Sequence, residues 1–250
     1  DGLSVGAREA LEVMGENAKS GRAIGEYIQG KIADVEAKGN PMQDSLFQSS
    51  RAQKEAEAVR KRYEGTPQWM QAPDGTPTKL SERQWVQVRT PSFKEWFGDW
   101  ENNPKGASKV VDENGEPLVV YRGMPAEKTT MRLSEDGLVW LTPDSLYAAD
   151  PHYGGKDGGA VYSVYADSKN LFDYSLPSHK NALLAAGKSP LFRSAANGDF
   201  RSLKDASVIG ALKAAGFDGF RAIEPEGQSS MALFSPTQIK SATANAGAFD

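Results

Sequence analysis

The chain has 250 residues, 39% of them hydrophobic and 25% charged, which suits one large domain or one domain with an appendage. The formal charge of −4 argues against a dedicated nucleic-acid-binding surface. The absence of cysteine excludes disulfides and cysteine-ligated metals, and two histidines make a histidine-rich metal site unexpected. No apolar stretch reaches the length of a membrane span, and the first residues resemble no secretory signal. Because no initiator Met is present, we expect a piece of a longer protein.

The first part of the chain is predicted to be a helical extension over residues 1–64. Its first helix follows from apolar residues three or four positions apart, namely Ile24, Tyr27, Ile28, Ile32 and Val35. Gly39, Asn40 and Pro41 are predicted to end it, and a second helix is predicted over residues 48–63. Residues 65–80 are rich in Pro and Gly and read as a linker, which leaves residues 81–250 as the main domain.

The main domain begins with two predicted helices, each with a recognisable start signal. Ser81 and Gln84 form a capping-box pattern, and Thr90 with Pro91 places a cap ahead of a proline at the first helical position. Aromatic residues then recur at a spacing that predicts a helix docked on a core, at Phe93, Trp96 and Phe97.

Beyond these helices the pattern changes to short strands. Asn114-Gly115 between β-branched runs at 109–111 and 118–121 predicts a hairpin. Further strands are predicted at residues 138–141, 160–166, 219–223 and 230–234, and a helix over 206–215 that ends at Gly216. The fold class is therefore α+β with mostly antiparallel strands.

Arg122 is the most informative candidate for a functional residue. It follows an apolar strand and Tyr121 and precedes Gly123, so its charge must find a partner or line a cleft. The planar guanidinium suits phosphate or carboxylate groups. The alternative is a structural arginine that pairs with a nearby acid.

Other candidates follow the later strands. Thr142 before Pro143 is typical of a helix N-cap, and the same junction can present N–H groups to an anion. Trp140 and Tyr147 are core residues by default, but either can stack on a planar ring. Glu224 and Glu226 flank a proline and point the same way on an extended segment, and the alternative is an exposed hairpin with solvated acids.

The glycine-rich stretch at 154–159 matches neither a phosphate-binding loop nor a dinucleotide fingerprint. The phosphate-binding loop requires a Gly-Lys-Ser/Thr ending, and the dinucleotide fingerprint requires a helix where a strand is predicted here. We interpret it as a mobile loop able to close over a site. His152 and His179 are too isolated to indicate a metal site.

Five segments between residues 90 and 250 resemble ADP-ribosyltransferase-like domains of phage-encoded polyvalent proteins and of some bacterial toxins and effectors. They occur in the order TPSFKEWFGDW, SKVVDENGEPLVVYRGM, GLVWLTPDSLYAAD, LKAAGFDGF and LFSPTQIKSATANAGAFD. The resemblance implies a split antiparallel β-sandwich of the ADP-ribosyltransferase type, with NAD bound in its cleft, preceded here by the helical extension.

The superfamily's three motifs can be placed on this sequence. Tyr121-Arg122-Gly123 resembles the arginine version of the first motif, although relatives of the polyvalent type usually have His there. Trp140-Leu141-Thr142 corresponds to the middle motif. The late Glu falls at Ser230, so the sequence departs from the pattern, and Glu224 and Glu226 are the nearest acids.

The resemblance implies a mono-ADP-ribosyltransferase that transfers ADP-ribose from NAD to a macromolecular acceptor and releases nicotinamide, with NAD glycohydrolase activity when water is the acceptor. The implied catalytic residues are Arg122, Thr142, Glu224 and Glu226, and the implied NAD-binding residues are Tyr121, Arg122, Gly123, Trp140, Thr142 and Tyr147. Glu226 would bind the ribose 2′-hydroxyl, and Glu224 would orient the acceptor. No metal is implied.

The implied setting is the cytoplasm of a host or target cell, reached by injection or secretion, where a host protein is the expected acceptor. No membrane partner is expected. The alternative is a catalytically degenerate domain of the same fold that serves as a binding or interaction module, and the Ser at position 230 favours it.

Overall fold

The computed structural model describes residues 50–124, 134, 136–150, 160–224 and 227–243. The helix predicted over residues 24–35 and its stop, His152, the glycine-rich stretch at 154–159, and Glu226 lie outside these residues. Within them, no helix has the length and apolar character that crossing a bilayer requires.

Three helices precede the sheets. These are α1 (Ser50–Tyr63), α2 (Glu82–Val88) and α3 (Pro91–Phe97). The predicted capping box is confirmed, since the Ser81 side chain accepts from Gln84 N and the Gln84 side chain accepts from Ser81 N. The Thr90 hydroxyl accepts from Phe93 N and caps α3, as predicted. The second helix of the extension is confirmed as α1 over the part of its range that the structure describes.

The three helices enclose an aromatic core. Its fully buried aromatic residues are Trp85, Phe93, Phe97 and Tyr165. Val59 of α1 packs in the same cluster, and Trp96 packs against it half-buried. The backbone oxygen of Gln71 accepts from Trp85 Nε1 at 2.9 Å, so the segment between α1 and α2 also contacts this core. The boundaries at residues 64 and 81 stay a prediction.

Arg89 follows α2 and is buried in this helical region. Its guanidinium lies over the Trp85 ring, with 3.8 Å from Cζ to the ring centroid. It forms ion pairs with Glu101 at 3.1 Å and with Glu116 at 3.2 Å. Burial lowers the pKa of Arg89 and raises that of Glu116, because each charge is taken out of water.

Seven strands lie in the described residues. They are β1 (Val120–Met124), β2 (Val139–Leu141), β3 (Ala160–Ala166), β4 (Leu171–Phe172), β5 (Gly219–Ile223), β6 (Ser229–Leu233) and β7 (Ile239–Ser241). One sheet has the order β1-β3-β7 and is antiparallel throughout. The other has the order β2-β6-β5-β4, in which only β4 and β5 are parallel.

The predicted hairpin is reduced to a turn. Gly115 adopts the positive φ of 80° that such a turn requires, but the flanking runs form a single bridge, Val111 to Pro117. On either side of that bridge, Asp112 N donates to Glu116 O at 2.9 Å and Leu118 N donates to Val110 O at 3.1 Å. The strand that follows begins at Val120.

Helices cover one face of the four-stranded sheet. Short α4 (Ser145–Ala148) follows β2, and the chain between β4 and β5 forms α5 (Pro177–Ala186), α6 (Pro190–Ala196), α7 (Phe200–Leu203) and α8 (Ala206–Ala214). Leu183, Leu203 and Leu212 from three of these helices pack with Phe220 and Ala232 of the sheet. Of the four helices between β4 and β5, only α8 was predicted, and it ends before Gly216 at φ 84°.

The two sheets share a third core cluster. Its buried residues from the first sheet are Val120, Val164 and Ala166, and those from the second are Val139, Leu141, Leu171, Met231 and Leu233. Mixed helices and mostly antiparallel strands confirm the α+β class.

Candidate functional site

A cavity of about 270 Å³ lies where the two sheets meet. There Tyr121 of β1 and Thr142 after β2 form an isolated antiparallel bridge. Tyr121 N donates to Thr142 O at 2.7 Å, and Thr142 N donates to Tyr121 O at 3.0 Å. The cavity is lined by Tyr121, Arg122, Gly123, Ser134, Asp136, Trp140, Leu141, Thr142, Tyr147, Ala148, Phe200, Lys204, Glu224 and Ser230. Every candidate from the sequence that lies in the described residues therefore contributes to one cavity.

Arg122 forms part of the wall supplied by β1, where it pairs with Tyr162 of β3. Its Nη2 donates to the Ser134 hydroxyl at 3.4 Å. Burial lowers the pKa of the guanidinium, and the charge of nearby Asp136 opposes that shift. A partly desolvated cation at a cavity wall is suited to an anionic ligand, because its field is weakly screened there.

Asp136 also lines the cavity. Its Oδ2 accepts from Trp140 Nε1 at 2.9 Å, and its Oδ1 accepts from Leu138 N at 3.2 Å. Lys204 Nζ lies 3.9 Å from the same Oδ2. The Asp136 carboxylate therefore holds the Trp140 ring in place and lies near two cations, Arg122 and Lys204.

Thr142 is not a helix N-cap, which corrects the role that the sequence favoured. The cap of α4 is Asp144, whose carboxylate accepts from Leu146 N and Tyr147 N. Pro143 stands before this cap, so the helix starts two residues later than the Thr-Pro pattern suggests. Thr142 is instead held by the bridge to Tyr121, and its hydroxyl donates to Ser229 O at 3.4 Å.

Glu224 supplies a carboxylate to the cavity from the end of β5. The residue is 5% exposed, as is Ser230 on the neighbouring strand. Glu224 N donates to Gln228 O at 2.8 Å, and Gly227 N donates to Glu224 O at 2.8 Å, so a tight turn leads from β5 to β6. The expectation of solvated acids on an exposed hairpin is therefore wrong for Glu224. Glu226 lies outside the described residues.

Aromatic rings line the cavity beside these charges. The Trp140 and Phe200 ring centroids are 5.0 Å apart, and Tyr147 of α4 lines the same cavity. Trp140 also packs on Phe220 in the core. The residue is therefore both a core residue, as the sequence suggested by default, and part of the cavity wall.

Among the polar and aromatic residues that line the cavity, sequence reasoning missed four, namely Ser134, Asp136, Phe200 and Lys204. Phe200 and Lys204 come from α7, a four-residue helix that the sequence did not predict. Its one available signal was Asp199, which caps the helix by accepting from Ser202 N.

The described residues contain no group of three or more His, Asp or Glu side chains arranged for a metal ion. His179 serves the fold, since its Nδ1 accepts from Asp173 N at 2.9 Å and its ring packs on Phe217. A second cavity, of about 550 Å³, lies beside α1 and α3, and no candidate site residue lines it.

Comparisons with known proteins give one match. The family model for the ADP-ribosyltransferase in polyvalent proteins matches residues 112–249, which is more than half of the chain. Searches of curated proteins and of solved structures found no match. The matched residues include every described residue that lines the cavity.

Proposed function

The chain belongs to the family of ADP-ribosyltransferases in polyvalent proteins, and on that premise we propose that it transfers a single ADP-ribose from NAD to a macromolecular acceptor and releases nicotinamide. One observation carries the proposal: a single cavity is lined by a buried carboxylate, Glu224, and a partly buried guanidinium, Arg122. NAD carries an anionic diphosphate at one end of the ribose that reacts and a cationic leaving group at its other end. The two side chains match that pattern of charge.

The cavity residues fit the parts of NAD by their chemistry. Arg122 is assigned to the diphosphate, because its planar fork donates two parallel hydrogen bonds to phosphate oxygens. Trp140 and Tyr147 offer rings against which a planar base can stack. Tyr121, Gly123 and Thr142 form the wall at the bridge between the sheets, where Gly123 leaves room for a close approach. A volume of about 270 Å³ suits the reacting half of the dinucleotide better than the whole molecule.

The reaction breaks the bond between ribose C1′ and the nicotinamide nitrogen. Both bonding electrons leave with nicotinamide, and positive charge develops on C1′ as in glycoside cleavage. A fixed carboxylate stabilises that charge most in the transition state, which is where stabilisation raises the rate. We assign this role to Glu224, which lines the cavity, whereas the sequence had favoured Glu226. An acceptor oxygen or nitrogen then bonds to C1′ and loses its proton to water or to a carboxylate.

The setting of the reaction belongs to the same proposal. The family description refers to polyvalent proteins, which supports a phage-encoded chain. We further propose that the chain is an effector that acts on a host protein in the host cytoplasm. Water as acceptor would make the chain an NAD glycohydrolase. The shared core of the two sheets and the Tyr121–Thr142 bridge support a split antiparallel sandwich around the cleft.

The test follows nicotinamide release and transfer of adenine-labelled ADP-ribose after NAD is mixed with the purified chain and bacterial cell proteins. Glu224→Gln removes the charge but keeps the size of the side chain, and we expect release to fall by roughly 10²–10³-fold, as for other preorganised groups. Glu95→Gln is the matched control, because the Glu95 side chain is 79% exposed on α3, and it should behave as the wild type.

Equal nicotinamide release by Glu224→Gln and the wild type would remove Glu224 from the mechanism. A wild-type chain that neither releases nicotinamide nor labels a protein would overturn the proposal and favour the degenerate binding module. Release without labelling would establish the glycohydrolase in place of the transferase.

A further inference from the structure

Lys204 lies at the cavity on the side that α7 provides. It is the C-cap residue of that helix, and its Nζ lies 4.7 Å from the centroid of the Phe200 ring one turn earlier. Such a distance is typical of a cation–π contact, which holds the ammonium near the aromatic wall. The Lys204 side chain is 38% exposed, so the ammonium faces both the cavity and solvent.

Lys204 and Arg122 both lie near the carboxylate of Asp136. The negative charge of Asp136 favours the charged form of Arg122. The Asp136 Oδ2 lies 3.9 Å from Lys204 Nζ, which is beyond hydrogen-bonding distance. Asp136 is itself fixed by hydrogen bonds from Trp140 Nε1 and Leu138 N. Both cations therefore lie near a carboxylate whose position is fixed by hydrogen bonds. The Lys204 ammonium makes no hydrogen bond within the described residues.

From this arrangement we propose that Lys204 is a second phosphate-binding residue, which contacts the diphosphate of the dinucleotide together with Arg122. The inference rests on the proposed function for the identity of the ligand. A diphosphate carries two negative charges, and one guanidinium balances only one of them. A lysine is suited to the second, because its ammonium is a compact charge on a flexible stem that can move the short distance to a phosphate oxygen.

A purely structural role for Lys204 is the competing explanation. Its contacts with Asp136 and Phe200 lie at a partly exposed site, where an ion pair contributes little to stability. A structural lysine would affect the melting temperature and would leave the salt dependence of ligand binding unchanged. A lysine that binds phosphate would contribute to that salt dependence, because the attraction between the charges is screened by ions.

The test measures binding of ADP-ribose, which keeps the diphosphate but has no nicotinamide to lose, by titration calorimetry at several salt concentrations. We expect Lys204→Met to raise the Kd about tenfold and to reduce its dependence on salt. Lys204→Arg keeps the charge and should stay close to the wild type. Lys213→Met is the matched control, because Lys213 also lies over a phenylalanine ring, that of Phe234, but does not line the cavity.

Several outcomes would overturn the assignment. The first is a Lys204→Met variant with wild-type affinity for ADP-ribose, and the second is a variant with a higher Kd whose salt dependence is unchanged. The third is an equal loss of affinity in Lys213→Met, and the fourth is a wild-type chain that binds no ADP-ribose. Nicotinamide release by the wild type is measured separately. Release with unaltered binding in Lys204→Met refutes this inference alone, and weakened binding without any release refutes only the transferase.

Discussion

Arg89 and Arg122 are both arginines taken out of bulk water, and burial lowers the pKa of each, yet they stand in different surroundings. Arg89 lies between the rings of Trp85 and Trp100 and forms ion pairs with two carboxylates. Arg122 stands at the wall of a cavity, beside Asp136 and Ser134. The same residue type thus ties the end of α2 to two later loop segments in one region and lines the candidate site in the other.

The comparison shows what marks a functional cation in this chain. Burial does not mark it, because Arg89 is the more buried of the two, with a side chain 4% exposed. A cavity alone does not mark it either, because Arg89 also lines the second cavity, with Glu55 and Tyr63. What distinguishes Arg122 is a cavity within the residues that the family model matches, which also contains the buried Glu224 and the rings of Trp140 and Tyr147. Loss of one partner from a buried ion pair is costly, so Arg89 is held to its two carboxylates.

The largest expected effect comes from removing the charge in the helical region. Arg89→Met leaves Glu116, whose side chain is fully buried, without its cationic partner. Breaking one side of a buried ion pair typically costs about 3–5 kcal/mol, so we expect a loss of that size in the free energy of unfolding, measured by urea denaturation. Nicotinamide release per folded molecule should not change.

A second substitution tests the cause of that loss. Arg89→Met combined with Glu116→Gln removes the orphaned carboxylate and should recover part of the stability. If the double variant is as unstable as Arg89→Met, the lost packing of the guanidinium on Trp85 is the larger factor, and the ion pair is not what distinguishes the two regions.

The same substitution at Arg122 should give the opposite result. Arg122→Met is expected to weaken NAD turnover by about 10–100-fold, the range for loss of hydrogen bonds to a charged group. Stability should change much less, because Asp136 keeps Trp140 and Lys204 as partners and is not orphaned. Arg122→Lys keeps the charge without the planar fork, so its NAD turnover should lie between those of the wild type and Arg122→Met. A large drop in stability with intact turnover would make Arg122 a structural residue like Arg89.

Local signals in the sequence were sufficient for several parts of this fold. The caps at Ser81 and Thr90 and the strands at Ala160–Ala166 and Gly219–Ile223 were predicted as they occur, because each depends on neighbours in sequence. Arg122 could be singled out for the same reason, since a charge after an apolar strand is visible in the sequence alone.

The remainder depends on contacts between distant residues. The hydroxyl of Thr142 reaches Ser229, 87 positions later, and no local pattern predicts that pairing. Helix α5 starts with Pro177 but has no side-chain cap, and its Leu183 packs in the core with residues distant in sequence. Lys204 and Asp136 are single charges in polar surroundings, and their shared cavity appears only in three dimensions.

The smallest expected effect concerns Asp199, which caps α7 and so holds the helix that carries Phe200 and Lys204. Hydrogen bonds from the Ser202 hydroxyl and N lower the pKa of Asp199. Its contribution to stability is therefore complete above the unfolded pKa, about 3.9, and is lost as the pH falls through the lower folded value. Asp199→Ala should cost about 1 kcal/mol at pH 7, measured by urea denaturation, and the difference from the wild type should vanish in strong acid.

Asp199→Ala also tests whether the cavity depends on the order of α7. We expect a modest rise in the Kd for ADP-ribose, because a frayed α7 no longer holds Lys204 beside Asp136. Asp205→Ala is the control, since Asp205 caps α8 by the same contact with a serine but none of its helix lines the cavity. It should lower stability without changing the Kd. An equal change in Kd from both variants would mean that loosening either helix disturbs the cavity to the same extent. It would contradict the claim that α7 in particular positions a residue for the ligand.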